Sequence, residues 1–268
     1  MIARMYRIVR TRGIAPLVFA VIARAEGLID RKAKSFKGCT GYFAGKEGIE
    51  IGGPSRSFSA NGLFPIYPLA ASLDNCTFGD VTVWEGCIKE GRTFRFAPDK
   101  AAGMQYLCEA TDMKCCQPAA YDFVLASHVL EHIANPILAL YEWKRLLRGR
   151  GALVLLLPDR TGTFDHRRTV TTMAHLIDDF ATGKAEDDLS HLPEILALHD
   201  RARDPDAGNV ESFRMRSQDN FQNRCLHHHV FDLPLAKTIV EYVGLKVVAT
   251  ETIRPHHILL VAERPVDG

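Results

Sequence analysis

The sequence is short of the features that classify a chain at a glance. It has no apolar run of the roughly 20 residues that a spanning helix needs. The longest near its start, residues 14–22, is interrupted by Pro16. Charge of neither sign is in excess: 33 Lys and Arg against 32 Asp and Glu leave +1. A domain held on nucleic acid by bulk charge is far more basic, so nucleic acid is not an expected partner. There is no CxxC pair among the seven cysteines, which excludes a zinc ribbon, and their odd number and irregular spacing do not describe a disulfide framework. Reduced thiols in a cytoplasmic protein are the expectation. HExxH and the dinucleotide fingerprint GxGxxG are both missing. No repeat and no low-complexity tract interrupts the chain.

What is present is the balance of a globular protein: 47% apolar and 24% charged residues. A chain of 268 residues buries about 70–75% of its unfolded surface and needs no metal or disulfide staple.

The near-zero net charge hides an asymmetry. Residues 1–37 hold nine Lys and Arg but only Glu26 and Asp30, leaving 24 basic and 30 acidic residues in the rest. Within this head, Ile14, Leu17, Val18, Val21, Ile22 and Ala25 follow the i, i+3, i+4, i+7 spacing of an amphipathic helix, with Pro16 in its first turn. Residues 1–44 are therefore expected to form a basic helical extension. Its apolar stripe calls for a burial partner: its own domain, a second copy in a homo-oligomer, or an anionic lipid surface at the inner face of the membrane.

From residue 45 strands alternate with helices. The expected strands are Gly48–Ile51 running into Gly52-Gly53, Val81–Glu85, Gln105–Cys108, Tyr121–Ala126, and the wholly apolar Ala152–Leu157. Asn135-Pro136 caps a helix through Leu147 that Gly149-Arg-Gly151 should stop. Residues 160–226 break the rhythm and read as a helical insertion after the fifth strand, placed as a lid; Leu233–Val243 is a helix, and Leu245–Thr250 and Ile258–Ala262 are final strands. The alternation predicts an α/β doubly wound, mostly parallel seven-stranded sheet. Its ligands should lie at the carboxyl ends of the strands, near the reversal of strand order.

The order Gly48-Ile-Glu-Ile-Gly-Gly53, Glu85, Glu109-Ala-Thr-Asp112 and Tyr121-Asp-Phe-Val-Leu-Ala-Ser-His-Val-Leu-Glu-His132 resembles class I S-adenosylmethionine-dependent methyltransferases with a methyltransferase-11-like domain. Leu157–Asp159, Thr163–Arg168, Thr171-Thr172, His175 and Cys225–Phe231 are similar to a subset found beside glycosyltransferases in surface-polysaccharide loci. The resemblance spans about residues 45–263 and implies a Rossmann-like methyltransferase fold with S-adenosylmethionine as cofactor. It implies a cofactor loop of Glu50, Gly52, Gly53, Pro54 and Ser55, with Pro54 and Arg56 standing where glycines are usual. It implies Glu85 on the ribose hydroxyls, Glu109 and Ala110 at the adenine edge with Asp112 as a rival, and Ser127 and His128 beneath the sulfonium.

Methylation of a hydroxyl needs an aligned acceptor and a base. His128 is one candidate base. Asp159, Asp165 and His166 form another carboxylate–imidazole cluster after the fifth strand. His175, His227 and His229 either complete a site with His166 or fasten the insertion to the body, and the reading commits to no metal. Arg160, Arg167 and Arg168 suit an anionic acceptor or pair with Asp178 and Asp179. The expected acceptor is a small molecule or glycan, most simply a sugar hydroxyl. The alternatives are an inactive methyltransferase fold serving as a scaffold or partner subunit, and an unrelated NAD-dependent enzyme.

Overall fold

The computed structural model describes residues 32–204 and 206–266. The amphipathic stretch at 14–25, with most of the basic head, lies outside the described residues. Among the described residues no helix is long and apolar enough to cross a membrane.

Among the described residues ten strands form: β1 Glu47–Ile51, β2 Ser72–Thr77, β3 Val81–Thr82, β4 Gly86–Cys87, β5 Gly91–Phe94, β6 Gly103–Leu107, β7 Tyr121–Ser127, β8 Leu147–Pro158, β9 Lys246–Ile253 and β10 His257–Glu263. Eight make one sheet in the order β5-β6-β2-β1-β7-β8-β10-β9, while β3 and β4 form a separate ribbon. The strands β6, β2, β1, β7 and β8 run parallel; β5, β10 and β9 add antiparallel edges. The class is the expected one, with eight strands in place of seven. The extra strand, β5, has the sequence Gly-Arg-Thr-Phe and buries only Phe94, so nothing in its composition announces it.

The expected second strand is a correction. Val81–Glu85 does not enter the sheet; Ser72–Thr77 does. That strand carries Asp74 and Asn75 between its apolar residues, which masks it. Asn75 is fully buried and satisfied: Gly53 N–H donates to its side-chain oxygen at 2.9 Å, and its amide donates to Gly53 O at 3.1 Å and Gln105 at 2.9 Å. A buried polar group with all its partners in place costs little.

Strand alternation builds two cores. On β8, Leu153, Leu155 and Leu157 enter one core while Ala152, Val154 and Leu156 enter the other; β10 divides Ile258 and Leu260 from Leu259 and Val261 in the same way. The first core is covered by the helices Pro136–Leu146, Met173–Thr182 and Leu233–Tyr242. Asn135 caps the first of these as its sequence predicts, accepting from Leu138 N at 3.1 Å. That helix stops at Leu146, and Gly149-Arg-Gly151 lies inside β8 rather than in a loop. Among the described residues the second core is covered by aromatic segments: Phe43, Phe58, Phe64 and Tyr67 pack beside Phe123. Phe43 meets Phe123 edge-on at 5.5 Å between centroids. The domain therefore begins before the expected boundary at residues 44 and 45, since Ala33, Cys39 and Phe43 belong to its core.

The insertion holds the helices Met173–Thr182, Leu192–Leu198 and Val210–Gln218. It has a small core of its own in Ile195, Ala207, Phe213 and Leu226. Pro193 sets the first turn of Leu192–Leu198, and His199 leaves helical geometry at its end.

Candidate active site

β1 leads leftwards to β2 and β7 leads rightwards to β8, so strand order reverses between β1 and β7. A cavity of about 360 Å³ opens there, at the carboxyl ends of the strands. That volume falls in the range of small-molecule sites. Of the predicted residues, Gly52, Ser55, Glu85, Glu109, Ala110, Ser127 and His128 line it.

Gly52 ends β1 with φ at +71°, and a Cβ there would lie 2.9 Å from Val129 Cγ2. Only glycine fits this turn without strain, and it leaves bare backbone facing the cavity. Behind it the loop is anchored on Glu50. Ser55 N–H donates to Glu50 Oε1 at 3.1 Å and Tyr67 OH to Oε2 at 2.6 Å. Glu50 is fully buried, and burial pushes its carboxyl up to about 7 although both hydrogen bonds pull it down. Glu50, Gly53 and Pro54 therefore stand behind the cavity wall rather than in it. A Cβ on Gly53 would lie 2.3 Å from the Glu50 carboxyl carbon, so the close approach that needs glycine there is to a side chain and not to a ligand.

Glu85 reaches the cavity from the ribbon and not from a strand end. Thr82 Oγ1 accepts from its N–H at 3.0 Å and holds the turn. Partial burial, then the charge of Glu50, pushes the Glu85 carboxyl up to about 7. Beside it, Trp84 lies edge-on to His132 at 5.5 Å. Glu109 follows β6 and accepts from Arg224 at 2.7 Å; Arg224 also pairs with Glu186 at 2.9 Å and lies over the Phe78 ring. Arg224 and Glu186 come from the insertion, so two of its residues wall the cavity. Sequence reasoning missed both, along with His132 and Trp84. A lone arginine 115 residues from its partner leaves no periodic trace. Asp112 is away from the cavity, exposed and paired with Lys114 at 2.9 Å.

His128 sits at the carboxyl end of β7 with φ at +55°, a strained conformation for a residue with a Cβ. Its Nε2 is 3.0 Å from His257 Nδ1, and its Nδ1 is 3.5 Å from Glu131 Oε1. Glu131 is fully buried. Burial raises its carboxyl, but His128, His132 and His227 outweigh this and hold it below the usual range.

The cluster of Asp159, Asp165 and His166 does not converge on the cavity. Asp159 caps the turn Arg160–Gly162, accepting from Thr161 N at 2.9 Å. His166 Nε2 pairs with Asp200 Oδ2 at 2.9 Å. Asp165 is buried between Arg168 at 3.1 Å and His227 Nδ1 at 2.5 Å, and those two positive partners hold it low against its burial. His227 in turn packs edge-on to His132 at 4.6 Å, which links this cluster to the cavity. The arginines are also committed. Arg168 is buried and donates to the carbonyls of His227 and His228 as well as to Asp165 and Glu194; Arg167 pairs with Asp200 at 3.3 Å. Their carboxylate partners are these residues and not Asp178 and Asp179.

The cavity suits S-adenosylmethionine chemically: bare backbone at Gly52, two carboxylates to accept from hydroxyl and amine donors, and negative charge for a sulfonium. Residues 79–155 match the family model Methyltransf_11, a methyltransferase domain. The chain carries an S-adenosylmethionine-dependent methyltransferase domain. Among solved structures, this methyltransferase is similar to an S-adenosylmethionine-dependent methyltransferase of Mesorhizobium loti, at 11% identity, 87% of this chain, 98% of that one and a TM-score of 0.48. It is also similar to the 1,6-didemethyltoxoflavin-N1-methyltransferase of Burkholderia thailandensis with bound 1,6-didemethyltoxoflavin and S-adenosylhomocysteine, at 9% identity, 94% of this chain, 88% of that one and a TM-score of 0.46. No curated protein matches the methyltransferase.

Proposed function

We propose that the methyltransferase acts on a hydroxyl of a small molecule or glycan, most simply of a sugar, with His128 as the general base. The observation that carries this reading is the convergence of Gly52, Glu85, Glu109, Ser127 and His128 on one cavity at the reversal of strand order. S-adenosylmethionine supplies an electrophilic methyl group when bound. Glu85 and Glu109 accept from its hydroxyl and amine donors, and Arg224 fixes the Glu109 carboxylate. His128 takes the acceptor proton. Glu131, 3.5 Å from the other imidazole nitrogen, stabilises the imidazolium that results. The catalytic role moves to His128 from His166, whose imidazole faces Asp200. The insertion serves as a lid, since it reaches the cavity through Glu186 and Arg224. The basic head, residues 1–37, meets a membrane surface or a second copy, and the protein works in the cytoplasm.

The test is methyl transfer from labelled S-adenosylmethionine to a panel of nucleotide-linked and lipid-linked sugars. His128→Ala should lower kcat by about 10²–10⁴, with S-adenosylhomocysteine affinity held within a few fold by calorimetry. A His128→Ala enzyme with unchanged kcat refutes the base assignment. Cofactor binding without transfer to any acceptor points to an inactive scaffold.

A further inference from the structure

Away from the cavity, four side chains from three chain segments converge where the insertion meets the body of the domain. His175 and Asp179 lie one turn apart on the helix Met173–Thr182, His191 stands just before the helix Leu192–Leu198, and His229 follows the insertion. One nitrogen or oxygen atom of each lies within 4.8 Å of all the others. His175 Nε2 is 3.1 Å from His191 Nε2 and 3.2 Å from Asp179 Oδ2; His229 Nε2 is 3.8 Å from the same oxygen. Bonds of about 2.0–2.2 Å from a tetrahedral zinc ion to nitrogen and oxygen place neighbouring ligand atoms roughly 3.3–3.5 Å apart. The two distances from His175 Nε2 fall just short of that separation.

Hydrogen bonding alone does not account for the cluster. Asp179 is 2% exposed, and its Oδ2 has no hydrogen-bond partner although two imidazoles stand beside it; His229 Nδ1 is likewise buried without a partner. Buried polar atoms without partners are rare and costly. His229 Nε2 lies 3.1 Å from Ala134 O. A histidine that gives one ring nitrogen to a backbone carbonyl keeps the other as a lone pair, the usual arrangement at a metal.

We propose that His175, Asp179, His191 and His229 bind one divalent transition-metal ion, zinc by the fit of a tetrahedral three-imidazole, one-carboxylate set. All four positions come from the protein, so the ion is structural. It fastens the insertion's first helix to the segment that carries His227 and His229. Through Asn135, whose amide donates to Asp179 O at 3.2 Å, it also braces the start of the helix after β7. His175, whose side chain is 39% exposed, gives the ion its entry.

The test is metal content of the untagged full-length chain, loaded with zinc and dialysed against a metal-chelating resin. About one zinc per chain should remain, and the melting temperature should rise on loading. Asp179→Asn and His191→Gln should each cut the retained zinc at least about tenfold, whereas the double variant His256→Gln, His257→Gln keeps it. Should either single variant fold poorly, cobalt loading of the wild type decides. Tetrahedral cobalt absorbs strongly in the visible, and X-ray absorption should give a first shell of nitrogen and oxygen with no sulfur. A wild-type chain that retains neither metal overturns the proposal. So does zinc that survives both single variants, or a shell containing sulfur.

Discussion

The two walls of the cavity are built on opposite plans. The left wall, at the ends of β1, β2 and β6, rests on polar groups within the sheet itself: Glu50, Asn75 and Gln105 are register partners on adjacent strands. The right wall, beyond β7, rests on side chains that reach across long stretches of sequence, such as Arg168 to the His227 and His228 carbonyls and His132 to the Leu226 carbonyl. The left wall takes its precision from backbone registration. The right wall depends on a buried network in which every member must be present.

The sharpest way to break the comparison is Arg168→Met. It strands Asp165 as a buried carboxylate with only His227 left to balance it. Removing one partner of a buried pair costs about 3–5 kcal/mol. Urea denaturation should show that loss, and a loss below 1 kcal/mol would mean that the right wall is not a network.

On the left, Glu50→Gln should act through pH. The carboxyl rises from 4.5 to about 7 on folding. The folded state thus holds a proton that the unfolded state has released, and the wild type loses stability as pH climbs through that window. The variant carries no such dependence, so it should gain roughly 2–3 kcal/mol on the wild type between pH 4.5 and 8. The comparison must be a difference between the two proteins. Two half-buried histidines run the other way: His132 and His256, lowered to about 4 by desolvation, cost both proteins stability as pH falls below 6.5. A constant difference across the range would show that Glu50 stays charged.

Smaller again, Glu85→Ala should weaken S-adenosylhomocysteine by about 1–3 kcal/mol in calorimetry through lost hydrogen bonds. Unchanged affinity would remove the ribbon from the cofactor wall. The smallest expected effect is that of His166→Ala. Its partner Asp200 keeps Arg167, and partly exposed pairs contribute about 0–1 kcal/mol. Stability and kcat should both stay close to wild type, and a hundredfold fall in kcat would return the base to His166.

The same contrast marks what the sequence discloses. Strand ends of the parallel sheet were legible because each pairs a short apolar run with a glycine, an acid or a polar pair, as at Ile51-Gly52, Cys108-Glu109 and Ser127-His128. Ser72–Thr77 was hidden because Asp74 and the buried Asn75 interrupt its apolar residues, and the partners of Asn75, Gly53 and Gln105, lie elsewhere in the chain. Glu85 was placed in the cavity on a mistaken strand: its acid stands about where a strand end would put it, carried there by the ribbon. Asp165 and His166 follow β8 as foreseen, yet local order could not reveal that Arg168, His227 and Asp200 capture them. Histidines at 175, 191 and 229 have no motif spacing, since three separate segments supply them.

The polar row across β1, β2 and β6 also constrains how the chain can assemble. Glu50 lies between Ile49 and Ile51, both of which face the helix-covered core. A slip of one residue would turn those isoleucines to the other face and drive a carboxylate into the apolar core in their place. The penalty falls also on Asn75, left without the Gly53 backbone that satisfies it. Three parallel strands that enter from distant parts of the chain thus share one alignment key, and it leaves a single register open to them.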